Sequence, residues 1–321
     1  MSQASDTIEG LFLDNDNATY DAVAKQFLSH RIFLAWILKH CVREFENCSI
    51  GDIIGKYIEG KPEVGTVPVN PDLTNAPRKI TGDNAEYKTL TEGMTVFDIR
   101  FVAYAPTTGE PIKLIVNIEA QKKHNPGYSL IKRAIFHGCR LMSSQYGVEF
   151  AEPDFDGIKK VVSIWLCMTS PAHKESGITE YNFLERTLVG KISNETQKYD
   201  LIQIVMVYIG SSAQSIENEL LKLLHLIFRA TMKATEKTER LQSDFDITLD
   251  DSMTKELNIM CNLSEGIAEE ARDAAWKEAR EQLTLSHIRS LIKNMKMSAE
   301  QAMDALGVPV TDRSKYANLI G

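Results

Sequence analysis

Asp98 and Glu119 are the pair whose type and spacing best suit chemistry: two carboxylates on short strand-like segments joined by a turn. In Thr95 to Tyr104 (TVFDIRFVAY), Phe97, Ile99, Phe101 and Ala103 share one face, and Asp98 and Arg100 share the other. Side chains alternate with a period of two, so Asp98 is expected to point away from the core. In Ile112 to Gln121 (IKLIVNIEAQ), Leu114, Val116, Ile118 and Ala120 form the apolar face, and Asn117, Glu119 and Gln121 the opposite one. The intervening Pro106-Thr107-Thr108-Gly109-Glu110-Pro111 is rich in turn residues, and a hairpin centred near Thr108-Gly109 sets Asp98 opposite Glu119. Directly opposed residues lie roughly 5 Å apart, within reach of one divalent ion. Hard oxygen ligands that leave room for water suit Mg²⁺, with Mn²⁺ as a substitute, and such a metal activates water and stabilises phosphate in transfer. On spacing alone, a solvated strand face with an incidental acidic pair reads the same way.

The segment that follows supplies positive charge. Lys122, Lys123, His124, Lys132, Arg133 and Arg140 cluster in sequence just after the second acid. Pro126-Gly127 ends the strand, and Ser129 caps an expected helix to about Tyr146, with Leu130, Ala134, Cys139, Leu141, Met142 and Gln145 inward. Arg133, His137 and Arg140 recur every three to four residues, a stripe that could face a phosphate backbone. The other reading of the stripe is a helix surface with two solvated arginines and a half-buried histidine.

The run FDIRFVAY, the stretch KLIVNIEAQKKHNPGYSLIKRAIFHGCRLMSSQYG and the strand IKKVVSIWLCM together resemble the recombination-promoting nucleases, the transposase-like nuclease family of the PD-(D/E)XK superfamily. The resemblance extends more loosely from the Tyr20 region to the C-terminal helices. It implies a restriction-endonuclease-like α/β core, a mixed sheet flanked by helices, with a C-terminal helical extension. It also implies an endonuclease that hydrolyses DNA with Mg²⁺, linked to recombination or mobile elements. Residue by residue, Asp98 matches the metal-binding acid of the second core strand and Glu119 that of the third, and Ala120 would offer its carbonyl to the metal. Gln121 stands where the superfamily name has lysine. A neutral amide can orient water but brings no positive charge to the transition state. Lys123 is a candidate for that charge, its alternative being an ordinary solvated lysine; Lys122, Arg133, His137 and Arg140 are candidates for DNA contact.

Positioning these residues requires further elements. Tyr20 to Asn47 reads as one long amphipathic helix, and the resemblance makes Glu44, Glu46 or, before the first strand, Glu92 candidates for an additional acid. Lys61 to Lys88, with four prolines, reads as a loop. Ile158 to Met168 and Leu201 to Ile209 are apolar enough for strands buried on both faces, with an edge segment around Ile178 to Leu188. Ser215 to Lys233 reads as a buried helix and Thr235 to Asp251 as a linker or exposed turn. Ser264 to Met295 is a charged helix that could pair with a second copy, and Ser298 with Gln301 opens a short helix ending at Gly307, followed by another over Asp312 to Leu319. The expected organisation is a tail (1–18), a nuclease-like domain (19–250) and a helical extension (251–321).

Composition narrows the class without naming an activity. The formal net charge is −8, so phosphate attraction must come from a local basic patch. Five cysteines show no CxxC pairing, which indicates neither a zinc site nor a disulfide framework. No apolar run reaches the roughly 18 residues of a membrane span, and the acidic start lacks a signal-peptide pattern, so a cytoplasmic location is expected. A DNA- or protein-binding member with weak catalysis, and an oligomeric scaffold, are the competing readings.

Overall fold

The computed structural model describes residues 19–69, 95–106, 112–121, 126–168, 176–210 and 216–320. These fall in two compact units, Ala18–Cys261 and Asn262–Gly321. The division lies inside a helix, past the expected boundary at residue 250.

The first unit is built on a six-stranded mixed sheet. Its strands are β1 (Ile58–Val69), β2 (Thr95–Ala105), β3 (Ile112–Gln121), β4 (Lys160–Cys167), β5 (Gly177–Asn182) and β6 (Ile202–Tyr208), in the order β1-β2-β3-β4-β6-β5. β1, β2 and β3 are antiparallel neighbours, β3, β4 and β6 run parallel, and β5 closes the far edge antiparallel to β6. Every residue of β4 and β6 is buried, as their unbroken apolar runs require when both faces are covered. β1 corrects the expectation of a loop from Lys61: residues 61–69 pair with β2 despite Pro62 and Pro68. An edge strand tolerates proline because its outer N–H has no ladder partner to lose, and the register shifts twice along this strand. Residues 70–94, the remainder of that expected loop, lie outside the described residues.

The expected single helix over Tyr20 to Asn47 is broken. Residues 19–28 form α1, α2 covers Arg31–Cys41, and a 3₁₀ turn follows at Arg43–Phe45. At the break, Ser29 Oγ donates to Gln26 O at 2.7 Å and His30 is extended. A short hydroxyl side chain competing for backbone is the local reason. One α turn, α3 (Ile50–Asp52), leads through a π turn into β1.

Between the parallel strands β3 and β4 runs α4 (Leu130–Ser143). Ser129 Oγ accepts the Lys132 N–H, as an N-cap should. Leu130 and Ala134 pack on Trp165, Cys167, Ile202, Ile204, Met206 and Tyr208, and Leu141 packs on Ile115 and Val161. Gly138 permits this approach, since a Cβ there would lie 2.7 Å from Ile204 Cδ1. Cys139 is exposed, contrary to its expected inward position. At the far end of α4, Gln145 donates Nε2 to Lys159 O at 2.9 Å and accepts the Lys159 N–H at 2.7 Å, fixing the entry to β4.

After the sheet come α5 (Glu219–Phe228), α6 (Ala234–Phe245) and α7 (Asp251–Met295). α6 replaces the expected linker. Its polar composition conceals one apolar stripe of Ala234, Lys237 and Leu241, in which the Lys237 ammonium donates to Ile227 O at 2.8 Å. Asp250 caps α7, accepting the Met253 N–H at 2.8 Å, so that helix starts well before Ser264. In the second unit, α8 (Ala299–Ala305) opens with the expected Ser298/Gln301 capping box, and α9 (Val310–Ile320) follows Gly307 at φ +64°. Ile288, Ala302, Met303, Val308 and Tyr316 form that unit's core. Among the described residues, no helix is long and apolar enough to cross a membrane.

Candidate active site

The β2–β3 ladder pairs Arg100 with Asn117 and Ile99 with Ile118. One step further, the same register opposes Asp98 and Glu119. There the carboxylates themselves bridge the strands. Ala120 N–H donates to Asp98 Oδ2 at 2.9 Å, and Asp98 N–H donates to Glu119 Oε1 at 3.4 Å. The face carrying them is covered, which corrects the expectation that Asp98 points away from the core. Glu119 is 4% exposed, Asn117 is fully buried and Arg100 nearly so. The cause is α4, which lies over the sheet face of Ile115, Val161 and Trp165; Glu119 is in register with Trp165.

Around the pair, charge and hydrogen bonding are set by residues from α1, β1, β2, β3, α4 and β4. Lys25 on α1 places Nζ 2.9 Å from Asp98 Oδ1 and 2.5 Å from Asp21 Oδ2. Asn117 Nδ2 donates to Glu119 Oε1 at 3.3 Å, and His137 Nδ1 on α4 lies 3.8 Å from the same oxygen. The His137 ring meets Trp165 edge-on at 5.2 Å between centroids. Arg133 donates Nε to His137 Nε2 at 3.4 Å and Nη1 to the Tyr128 hydroxyl at 2.6 Å, with its guanidinium 5.5 Å from the Trp165 ring centroid. Arg100 Nη2 lies 3.4 Å from a Glu63 carboxyl oxygen on β1.

Burial, and then the Glu119 charge beside it, push Asp98 up to about 6, against the opposing pull of Lys25 and the Ala120 N–H. Burial pulls Lys25 down, but hydrogen bonds and charges from Asp21 and Asp98 outweigh it, and its pKa is raised. Lys25 therefore stays an ammonium at neutral pH. Two carboxylates, Asp21 and Asp98, hold that ammonium, and Glu119 adjoins Asp98 from the neighbouring strand β3.

Two adjacent carboxylates, Glu119 buried and Asp98 half-buried, are hard oxygen donors of the kind that suit a divalent ion, whose charge would relieve their repulsion. Among the described residues no group of three or more His, Cys, Asp or Glu side chains is arranged to hold a metal. An ion at this place would have two carboxylates from the described side chains, with the Ala120 carbonyl as the candidate backbone oxygen.

Of the remaining sequence candidates, Arg133 is half-buried, whereas His137 and Arg140 are buried. Neither a fully phosphate-facing stripe nor a pair of solvated arginines describes α4. Glu44 is elsewhere: with Asp200 it binds the Lys160 ammonium, at 2.6 and 2.7 Å, at the other end of β4. Glu46 is exposed. Gln121 is the last residue of β3; its side chain, and Lys122, Lys123, His124 and Glu92 entirely, lie outside the described residues. Sequence reasoning missed Lys25, Asp21, Asn117 and Trp165. The i,i+4 spacing of Asp21 and Lys25 was a visible signal of their pairing, but nothing local tied them to Asp98. The chain matches no protein-family model, no curated protein and no solved structure.

Proposed function

We propose that the protein is a Mg²⁺-dependent DNA endonuclease, with Mn²⁺ as an alternative metal, built on a restriction-endonuclease-like core. The observation that carries this reading is the juxtaposition of the half-buried Asp98 and the buried Glu119 across β2 and β3. The β2–β3 hairpin, followed by α4 and the parallel strand β4, supports it as the supersecondary frame the sequence resemblance implies.

In this reading Asp98, Glu119 and the Ala120 carbonyl hold the metal. A divalent ion held there would supply Lewis-acid polarisation of a phosphodiester and a lowered pKa for a bound water. Asn117 fixes the orientation of the Glu119 carboxylate, with the His137 ring 3.8 Å from the same oxygen, and the Ala120 N–H fixes that of Asp98. Gln121 and Lys123 keep the roles of water orienter and charge donor. Lys25 is a second source of positive charge, its ammonium already on the carboxylate pair. Arg133, braced on Trp165 and Tyr128, is the described cation best placed to meet a phosphate. Its weakly hydrated, planar guanidinium suits that contact.

One observation favours a second reading, a DNA- or protein-binding member without strong catalysis. The Lys25 ammonium sits on Asp98 Oδ1 and partly neutralises the pair that a metal would need.

Nicking of supercoiled plasmid in Mg²⁺, Mn²⁺ or Ca²⁺ distinguishes the two. Cleavage in Mg²⁺ or Mn²⁺ that folded Asp98→Asn and Glu119→Gln variants lack supports the nuclease; retention of DNA without cleavage supports the binding reading.

A further inference from the structure

Immediately after the edge strand β5, residues 183–192 (FLERTLVGKI) turn most of their apolar side chains to solvent. Phe183 is 57% exposed, Leu184 81%, Leu188 80%, Val189 86% and Ile192 63%. These five present on the order of 600 Å² of surface, the upper end of what soluble monomers leave in their largest patch.

Two polar side chains of the loop, Glu185 and Thr187, bond within residues 183–195. Glu185 Oε2 accepts the Asn194 N–H at 3.0 Å, and its Oε1 accepts Asn194 Nδ2 at 2.5 Å. The Thr187 hydroxyl donates to Ile192 O at 2.7 Å. Gly190 supplies the left-handed turn at φ +84°. The arm is thus held in shape by its own hydrogen bonds while its apolar residues stay outside. Folding alone does not account for leaving five large apolar side chains in water.

We infer that the 183–192 arm is a self-association surface, on which a second copy of this chain docks through a two-fold contact. Charge selects this partner. Over residues 183–195, Glu185 and Glu195 balance Arg186 and Lys191, so the formal charge of that stretch is zero in a chain of net −8. Two such chains repel overall and need a neutral apolar contact to associate; a polyanion would find no net basic charge here. Area agrees. An isologous contact uses the same patch twice and would bury about 1,200 Å² of total surface, within the range of specific interfaces. Position agrees as well: among the described residues β5 pairs with β6 alone, so the arm adjoins an open sheet edge.

The test is sedimentation equilibrium of the full chain, wild type against Leu184→Asp/Val189→Asp. Both positions are exposed, so the fold is expected to survive, with circular dichroism as the check. The wild type should sediment at least as a dimer, and the variant at half that mass. Amide exchange over residues 183–195 should slow as wild-type concentration rises. A monomeric wild type at tens of micromolar, or a variant of unchanged mass, would overturn the inference. So would concentration-independent protection of the arm, which would mean that another part of the same chain covers it.

Discussion

Asp98 and Glu119 bridge β2 and β3 where the ladder would otherwise continue, the Asp98 carboxylate holding the Ala120 N–H at 2.9 Å and the Glu119 carboxylate holding the Asp98 N–H at 3.4 Å. Two acids in this arrangement repel each other with little water to screen them. The structure relieves that repulsion partly through Lys25 and partly by raising Asp98 toward protonation.

A pH dependence follows. Asp98 titrates at about 6 in the folded chain against 3.8 ordinarily, so between those values the folded state binds more protons than the unfolded one. Stability contributed by this group is therefore present below pH 4 and lost as pH rises to about 6. A shift of this size corresponds to about 3 kcal/mol at most, less in practice because the Asp98 side chain is 17% exposed. Metal-free Asp98→Asn should lack this component, visible as the wild-type-minus-variant difference in thermal unfolding between pH 4 and 7.5. Metal uptake has the opposite sign and should weaken as pH falls through about 6.

Lys25→Met removes the ammonium from the pair. Asp98 should then titrate higher still, since Lys25 at present pulls it down. If Lys25 supplies the charge that Gln121 cannot, Mg²⁺-dependent nicking should fall about 10²-fold, the usual scale for losing one preorganised electrostatic group. Unchanged nicking would confine Lys25 to holding α1 in place.

Arg133→Ala should weaken DNA binding evenly across sequences and lower the slope of log affinity against log salt by about one, the signature of one lost phosphate contact. Fluorescence anisotropy across a salt series reads both.

Gln145→Ala would leave the Lys159 N–H and C=O without their side-chain partner at the α4–β4 junction. A loss of about 1–3 kcal/mol is expected from denaturant melts, the cost of stranding buried polar groups. Because α4 carries His137 and Arg133, nicking should fall in the same variant.

Period-two alternation and turn chemistry were enough to read the Asp98–Glu119 register, because a six-residue turn fixes which residues of two strands oppose one another. The buried strands β4 and β6 and the Ser129 and Ser298 caps were legible for similarly local reasons. What stayed hidden was set by tertiary context. Lys25 reaches Asp98 across more than seventy residues, and no local pattern marks that contact. Proline signals a break in isolation, yet Pro62 and Pro68 sit in β1 because that strand is an edge. The stripe of Arg133, His137 and Arg140 has the spacing of one helix face, but spacing does not say that α4 turns His137 and Arg140 inward over the sheet.

If Asp98 and Glu119 form a divalent-metal site, the ion should bind without any substrate, and isothermal titration of Mg²⁺ and Mn²⁺ into wild type and into Asp98→Asn/Glu119→Gln reads that binding alone. Saturable uptake by the wild type at pH 7.5 and none by the double variant is expected. No uptake by the wild type, or equal uptake by both, would mean that the two carboxylates are not metal ligands.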